Sequence, residues 1–218
     1  MKQGDFIWAI VLCVISALLI VPVTHEVFIQ MTAAHPYIMA FIKFLILATM
    51  GELLAIRIVS GAWKKPAGMI YKSFIWGIIG MLVALMFQVF SNGVAGAAKA
   101  GMLFVGEGFL SLLLGAFYTS AFMNLTFGPM FSAAHRVSDT YIDMRETDKA
   151  APALAEVLVH IDWQAFINFI VLKIQPFFWI PAHTIVFMLP PEYRVLAAAY
   201  LSIALGVLLS YARRRQTA

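Results

Sequence analysis

The sequence predicts an all-α fold: a polytopic membrane helix bundle of six transmembrane helices with both termini cytoplasmic. Three observations carry this reading. First, of 218 residues, 62% are hydrophobic and only 12% are charged, against about 45–50% apolar and about 25% charged in soluble domains. The mean hydropathy is +0.89. Second, the apolar residues gather into six runs, 6–23, 37–59, 70–90, 102–123, 163–189 and 193–211. Each is close to the roughly 20 residues that cross a bilayer as a helix. Third, the basic residues fall on alternate connections. With the N-terminus inside, Lys2, Arg57, Lys64, Lys65, Lys72, Arg136, Arg145, Lys149 and Arg213 to Arg215 lie on the inner side, whereas only Lys99 and Arg194 lie outside. That is the positive-inside bias.

The runs lack the alternating ten-residue segments of an outer-membrane barrel. Helices satisfy their own backbone groups in hydrocarbon, so they are the expected element. The chain is read as a single transmembrane domain over 1–218, with the lipid bilayer as its first partner. The run 6–23 has a short basic start, as a signal peptide does. No small-x-small cleavage site follows it, so an uncleaved first helix is expected. The polar segment 132–154 contains "RVSDTYIDMRETDKAA" and is read as a charged cytoplasmic loop or helical extension. A partner contact or gating role is its functional alternative. Within "PALAEVLVHIDW", Leu154, Val157, Leu158 and Ile161 recur at helical spacing, which suits a short interfacial helix before the fifth run.

Composition and motifs exclude several classes. The formal charge of +4 is spread around the ends of apolar runs, with no basic stripe interleaved with aromatics, so no nucleic acid partner is expected. The one cysteine, Cys13, can form no intrachain disulfide. His25, His35, His135, His160 and His183 are dispersed, so no metal site and no cofactor is expected. There is no H-E-x-x-H, no paired C-x-x-C and no G-x-S-x-G. The chain is therefore read as a non-enzyme with no catalytic residues.

Polar groups inside the runs are costly in lipid and tend to face the bundle interior or water. Glu52 lies in "ATMGELLA" and Glu107 in "GEGFLSLLLGAFYTS". Ser111, Gly115 and Tyr118 share the helical face of Glu107, and small residues let helices approach, so both acids are expected to point inward. Lys43 is expected to snorkel toward the outer surface. Gln164, Asn168 and Gln175 fall at i, i+4 and i+11 and would form one polar stripe on an ideal helix. Lys173 could pair with Glu52 or reach the interface. Pro176 and Pro181 predict a helix kink near Gln175 and His183. Pro190 and Pro191 predict the turn that separates the last two helices.

"FFWIPAHTIVFMLPPEYRV" resembles the C-terminal signature of the Mpv-seventeen/peroxisomal membrane protein family. Trp179 and Pro181 look like its W-P pair, Phe187 like its phenylalanine, and Pro190, Tyr193 and Arg194 like its P-x-x-Y-R. "MNLTFGPMF" is similar to the family's D-Q-x-x-F-[AG]-P-x-F through Asn124, Phe127, Gly128, Pro129 and Phe131, with Met123 where the family has aspartate. Gly51 and Glu52 look like its G-D element. The resemblance covers roughly 41–214. It implies a helical organelle-type membrane protein, some relatives being weakly selective channels. For this divergent chain a bacterial inner membrane is the expected location and an organelle membrane the alternative. The expected function is a channel or pore-like permeation of small solutes or ions. Glu52, Glu107, Asn124, Gln164, Asn168 and Gln175 would line or gate it, and a homo-oligomer is possible. A proton-coupled secondary transporter and a non-transporting structural or assembly protein are the alternatives.

Overall fold

A computed structural model describes residues 3–216, without the side chains of Leu209 and of residues 211–216. Lys2 lies outside the described residues, as do the side chains of Arg213, Arg214 and Arg215. The described residues form helices and no strand. In order these are α1 (Gln3–Ile20), α2 (Pro22–Ala34), α3 (Pro36–Ser60), α4 (Met69–Lys99), α5 (Gly108–Asp148), α6 (Leu154–His160), α7 (Trp163–Ala165), a π-helical segment π1 (Phe166–Trp179), α8 (Ile180–Met188) and α9 (Pro191–Gln216). Six helices are long and apolar enough to cross a membrane. They are α1, α3, α4, α5, the continuous α7–π1–α8 rod, and α9.

The breaks follow from local chemistry. Pro22, Pro36 and Pro191 each open a helix, where the missing N–H costs nothing. Val21, before Pro22, is extended at φ −63° and ψ 125°, as a residue preceding proline prefers. Helix α3 stops at Gly61, whose left-handed φ of 70° lets its N–H reach Arg57 O at 3.1 Å. Between α8 and α9 only Leu189 and Pro190 intervene, as the proline pair predicts. Arg194 Nε closes this turn on Leu189 O at 2.9 Å.

One element was not expected from the sequence. The exit from the first run holds the 13-residue α2. At about 20 Å it is too short to span. His25 fixes it, with Nδ1 on Leu19 O at 2.8 Å and Nε2 on Tyr193 Oη at 2.9 Å. Of the two forms expected for the charged segment 132–154, loop or helical extension, it takes the second up to Asp148, as an unbroken continuation of α5. That helix has 41 residues, a contour of about 61 Å, twice the hydrocarbon thickness. Only 149–153 are non-helical before α6. The expected short helix is present there, with Val157 fully buried and Glu156 accepting the Ala153 N–H at 2.9 Å.

Helix α3 is the hub of the bundle, packed on α4 and α9. Small residues allow the approach. A Cβ on Gly51 would sit 3.1 Å from Ser202 O, and one on Gly206 would sit 2.9 Å from Gly51 O. Leu47, Ala48, Ala198 and Ala199 are buried along the same seam. Without a hydrophobic drive between helices in lipid, such close packing carries association. Helix α1 lies at the edge with no buried residue. It is tied down by polar contacts: Asp5 to Arg57 at 2.8 and 3.0 Å, Trp63 Nε1 to Asp5 at 2.8 Å, and Trp8 Nε1 to Met50 O at 3.0 Å. Ser210 Oγ reaches Ala55 O at 3.2 Å. Both chain ends therefore meet the last turns of α3, at what is called here the terminal end of the bundle.

Candidate functional site

Helix α5 carries Asn124, Gly128, Ser132, His135 and Asp139 at spacings of four, four, three and four. That spacing keeps them on one helical face. All five line a cavity of about 590 Å³ between α3, α4, α5, π1, α8 and α9. On α3 its lining runs from Phe44 to Ser60, an axial distance of about 24 Å. It reaches the surface at the terminal end, where Val59, Ser60 and Arg136 are exposed. No residue from the opposite connections 100–107 or 189–190 lines it. On that side Phe44, Phe87 and Phe187 are buried, and the rings of Phe87 and Phe187 lie 4.7 Å apart.

Near the mouth, charge is concentrated. Lys72, buried on α4, lies 2.8 Å from Asp143 and 3.7 Å from Glu52. Trp76 Nε1 donates to the other Glu52 oxygen at 3.3 Å. The Trp76 ring packs against His135, with centroids 4.3 Å apart. His135 Nδ1 faces Asp139 Oδ2 at 3.6 Å. Deeper in, Gln175 Nε2 donates to Ser132 Oγ at 3.0 Å. Gly128 makes the space, since a Cβ there would meet Gln175 Oε1 at 2.7 Å. At the floor, Asn124 bonds Ser120 O at 2.8 Å and lies 3.1 Å from His183 Nδ1. The His183 ring stacks on Trp179 at 4.7 Å.

The disturbance expected from the span-five prolines takes the form of π geometry. Pro176 lies inside the 14-residue π1, and the Ile180 N–H bonds to Gln175 O, five residues back. Pro181 follows π1 without a break, so its missing N–H leaves a carbonyl of the preceding turn without its helical donor. The Ile180 carbonyl accepts Ser120 Oγ and Thr184 Oγ1, both at 2.7 Å. Long π segments are rare, and shorter ones mark functional sites.

Of the residues expected to line a path, Glu52, Asn124 and Gln175 line this cavity. Gln164 and Asn168 are exposed and outside the cavity, because the π turn holds more residues than the α turn on which the stripe was drawn. Glu107 is exposed, preceding α5 rather than facing its neighbours; the helix begins later than the apolar run. Lys173 is exposed too, and Lys72 takes the place beside Glu52. Lys43 does not snorkel outward: it is buried, donating to Thr32 Oγ1 at 3.0 Å and lying 4.4 Å over Phe28. Helix α2, missed in the sequence, covers it.

Family-motif residues divide likewise. Gly51, Phe127, Gly128 and Trp179 line the cavity. Phe187, Pro190, Tyr193 and Arg194 lie at the opposite end, with Arg194 5.8 Å from the Phe187 ring. Pro129 is within α5. Lys72, Trp76, Ser132, His135, Asp139 and His183 were not singled out as lining residues. The three-four spacing from Asn124 to Asp139 was the available signal. Among the described residues no His, Cys, Asp or Glu cluster could hold a metal ion.

Glu107→Gln is expected to change stability by no more than about 1 kcal/mol, the scale of an exposed charge at a helix start, and to leave permeability unchanged. Thermal melting and solute flux of the purified variant check both.

Fold and site together define a helical membrane bundle enclosing an amphipathic, one-ended cavity. No family model, no curated protein and no solved structure matches the chain.

Proposed function

We propose that the protein is a channel-like permeation pathway for small solutes, held shut at the end opposite its termini. The observation that carries this is a set of three buried side-chain atoms without a partner: His135 Nε2, Asp139 Oδ1 and Gln175 Oε1. All three residues line the one cavity. Buried polar groups in native proteins are almost always paired, with water or ligand where protein is lacking. A hydrated, solute-accepting cavity satisfies them; a purely structural core would leave them at a cost of about 1–3 kcal/mol each.

Glu52 and Asp139 would set the charge of the mouth, and Asn124 with His183 would form its floor. The barrier is aromatic. Phe87 packs against both His183, at a ring distance of 5.4 Å, and Phe187, at 4.7 Å, and the last two rings lie 6.4 Å apart.

Reconstituted into liposomes, Phe87→Ala is expected to raise efflux of small solutes at least tenfold over the parent, and Glu52→Gln to alter the ratio of cation to anion flux. Folding of both is checked by gel filtration in detergent. A correctly folded Phe87→Ala protein whose liposomes leak no faster than empty ones would sink the reading.

A further inference from the structure

The three unpartnered atoms share a chemical sense. Gln175 is 2% exposed, and its Nε2 gives one of its two N–H groups to Ser132. Its Oε1 can only accept. Asp139 Oδ1 can likewise only accept when ionised. His135 Nδ1 lies 3.6 Å from Asp139 Oδ2, and Nε2 is an acceptor in the tautomer that carries its proton on Nδ1. Two bare oxygens and an imidazole nitrogen able to accept favour an occupant that brings N–H or O–H groups.

Charge and surface point the same way. Of the lining side chains, Glu52 and Asp139 stand against Lys72 and Arg136, and Lys72 is already held at 2.8 Å by Asp143 beside the mouth. The bare oxygen of Asp139 is thus open to an incoming cation. Between mouth and floor the walls include Trp76, Phe127, Phe131 and Trp179. Indole and phenyl faces attract cations in a desolvated site. The volume of about 590 Å³ is in the range that holds a drug-sized molecule. An anion would set its oxygens against Gln175 Oε1 and Asp139 Oδ1.

We infer that this cavity binds organic ammonium ions, cations that carry N–H donors on a compact apolar body. The inference rests on the same cavity as the permeation reading but concerns binding, not flux. The ammonium engages Asp139 and His135, the body lies against Trp76 and Phe131, and a second donor or a bridging water meets Gln175.

The test is calorimetric titration of the full chain in nanodiscs with three probes of one shape: phenethylammonium, its N-trimethyl analogue and 3-phenylpropanoate. Phenethylammonium is expected to bind at least tenfold more tightly than either of the others. Asp139→Asn and Gln175→Leu are each expected to weaken it by about tenfold, the scale of one lost charge-assisted hydrogen bond. Gly128→Ala, which crowds Gln175 Oε1, serves if either of these fails to fold, and is expected to weaken binding in the same direction. Equal or tighter binding of the propanoate, equal binding of the trimethyl analogue, folded variants with unchanged affinity, or no binding of any probe would each overturn the inference. Liposome efflux separates the two readings. Binding without efflux leaves this site standing and removes the pathway. Efflux indifferent to solute charge, with no ammonium binding, does the reverse.

Discussion

Lys72→Met is expected to be among the most destabilising single changes in the bundle, at roughly 3 kcal/mol. Lys72 has 8% side-chain exposure and bridges Glu52 on α3 to Asp143 on α5. Removing one partner of a buried ion pair costs about 3–5 kcal/mol, because the other is left uncompensated. The lower end applies here, since Asp143 is 54% exposed and water can solvate it. Most of the loss falls on Glu52, at 23% exposure. The double variant Lys72→Met with Glu52→Gln is therefore expected to recover a substantial part of it. Thermal unfolding in detergent, followed by tryptophan emission, measures all three proteins. An unchanged midpoint for Lys72→Met would show that the cluster contributes nothing to holding α3, α4 and α5 together.

The second large effect belongs to a glycine. A Cβ on Gly80 would lie 2.4 Å from Ala40 O and 2.8 Å from Phe44 Cβ. The first is backbone, which cannot swing aside, so Gly80→Leu must drive α3 and α4 apart. Overpacking a well-filled core costs about 1–3 kcal/mol, and a backbone clash along the hub helix belongs at or above the top of that range. Gly93→Ala on the same helix is the control. Its added Cβ meets nothing within 4 Å, and alanine is the better helix former by about 0.8–1.0 kcal/mol. Gly80→Leu is expected to aggregate or to melt far below the parent, and Gly93→Ala to melt at or above it. Equal melting of the two would refute close α3–α4 packing.

How much of this was legible in the sequence depends on which force decides each feature. The six spans were, because burial in hydrocarbon demands long apolar runs and little else produces them. The Pro190–Pro191 turn was too, since proline punishes a helix interior locally. Helix α2 was not: "PVTHEVFIQMTAA" mixes polar and apolar residues without a clear face, and its helicity is secured by His25 reaching both Leu19 and Tyr193. The end of α5 was left open between loop and helical extension for a different reason. Charge begins at Arg136, but a change of solvent does not end a helix, and no breaker stands between Ser132 and Asp148. Half of the lining face thereby lay in the segment left open. The Glu52 partner was out of reach as well: Lys72 is 20 positions away on another helix, and only tertiary packing brings the two together. Gln164 and Asn168 failed because a period of 3.6 was applied where the chain adopts a wider turn.

The length of α5 has a mechanical consequence. Over a rod of about 61 Å, small rotations become large shifts. A tilt of about 5° around Gly108 would move Asp139, about 47 Å along the axis, by roughly 4 Å. That displacement exceeds the 2.8 Å that separates Lys72 from Asp143. The far part of α5 is held against this by that ion pair, by buried Ile142 and by Arg145 over the Tyr71 ring. The width of the cavity mouth at Asp139 is thus set by contacts made one turn beyond it.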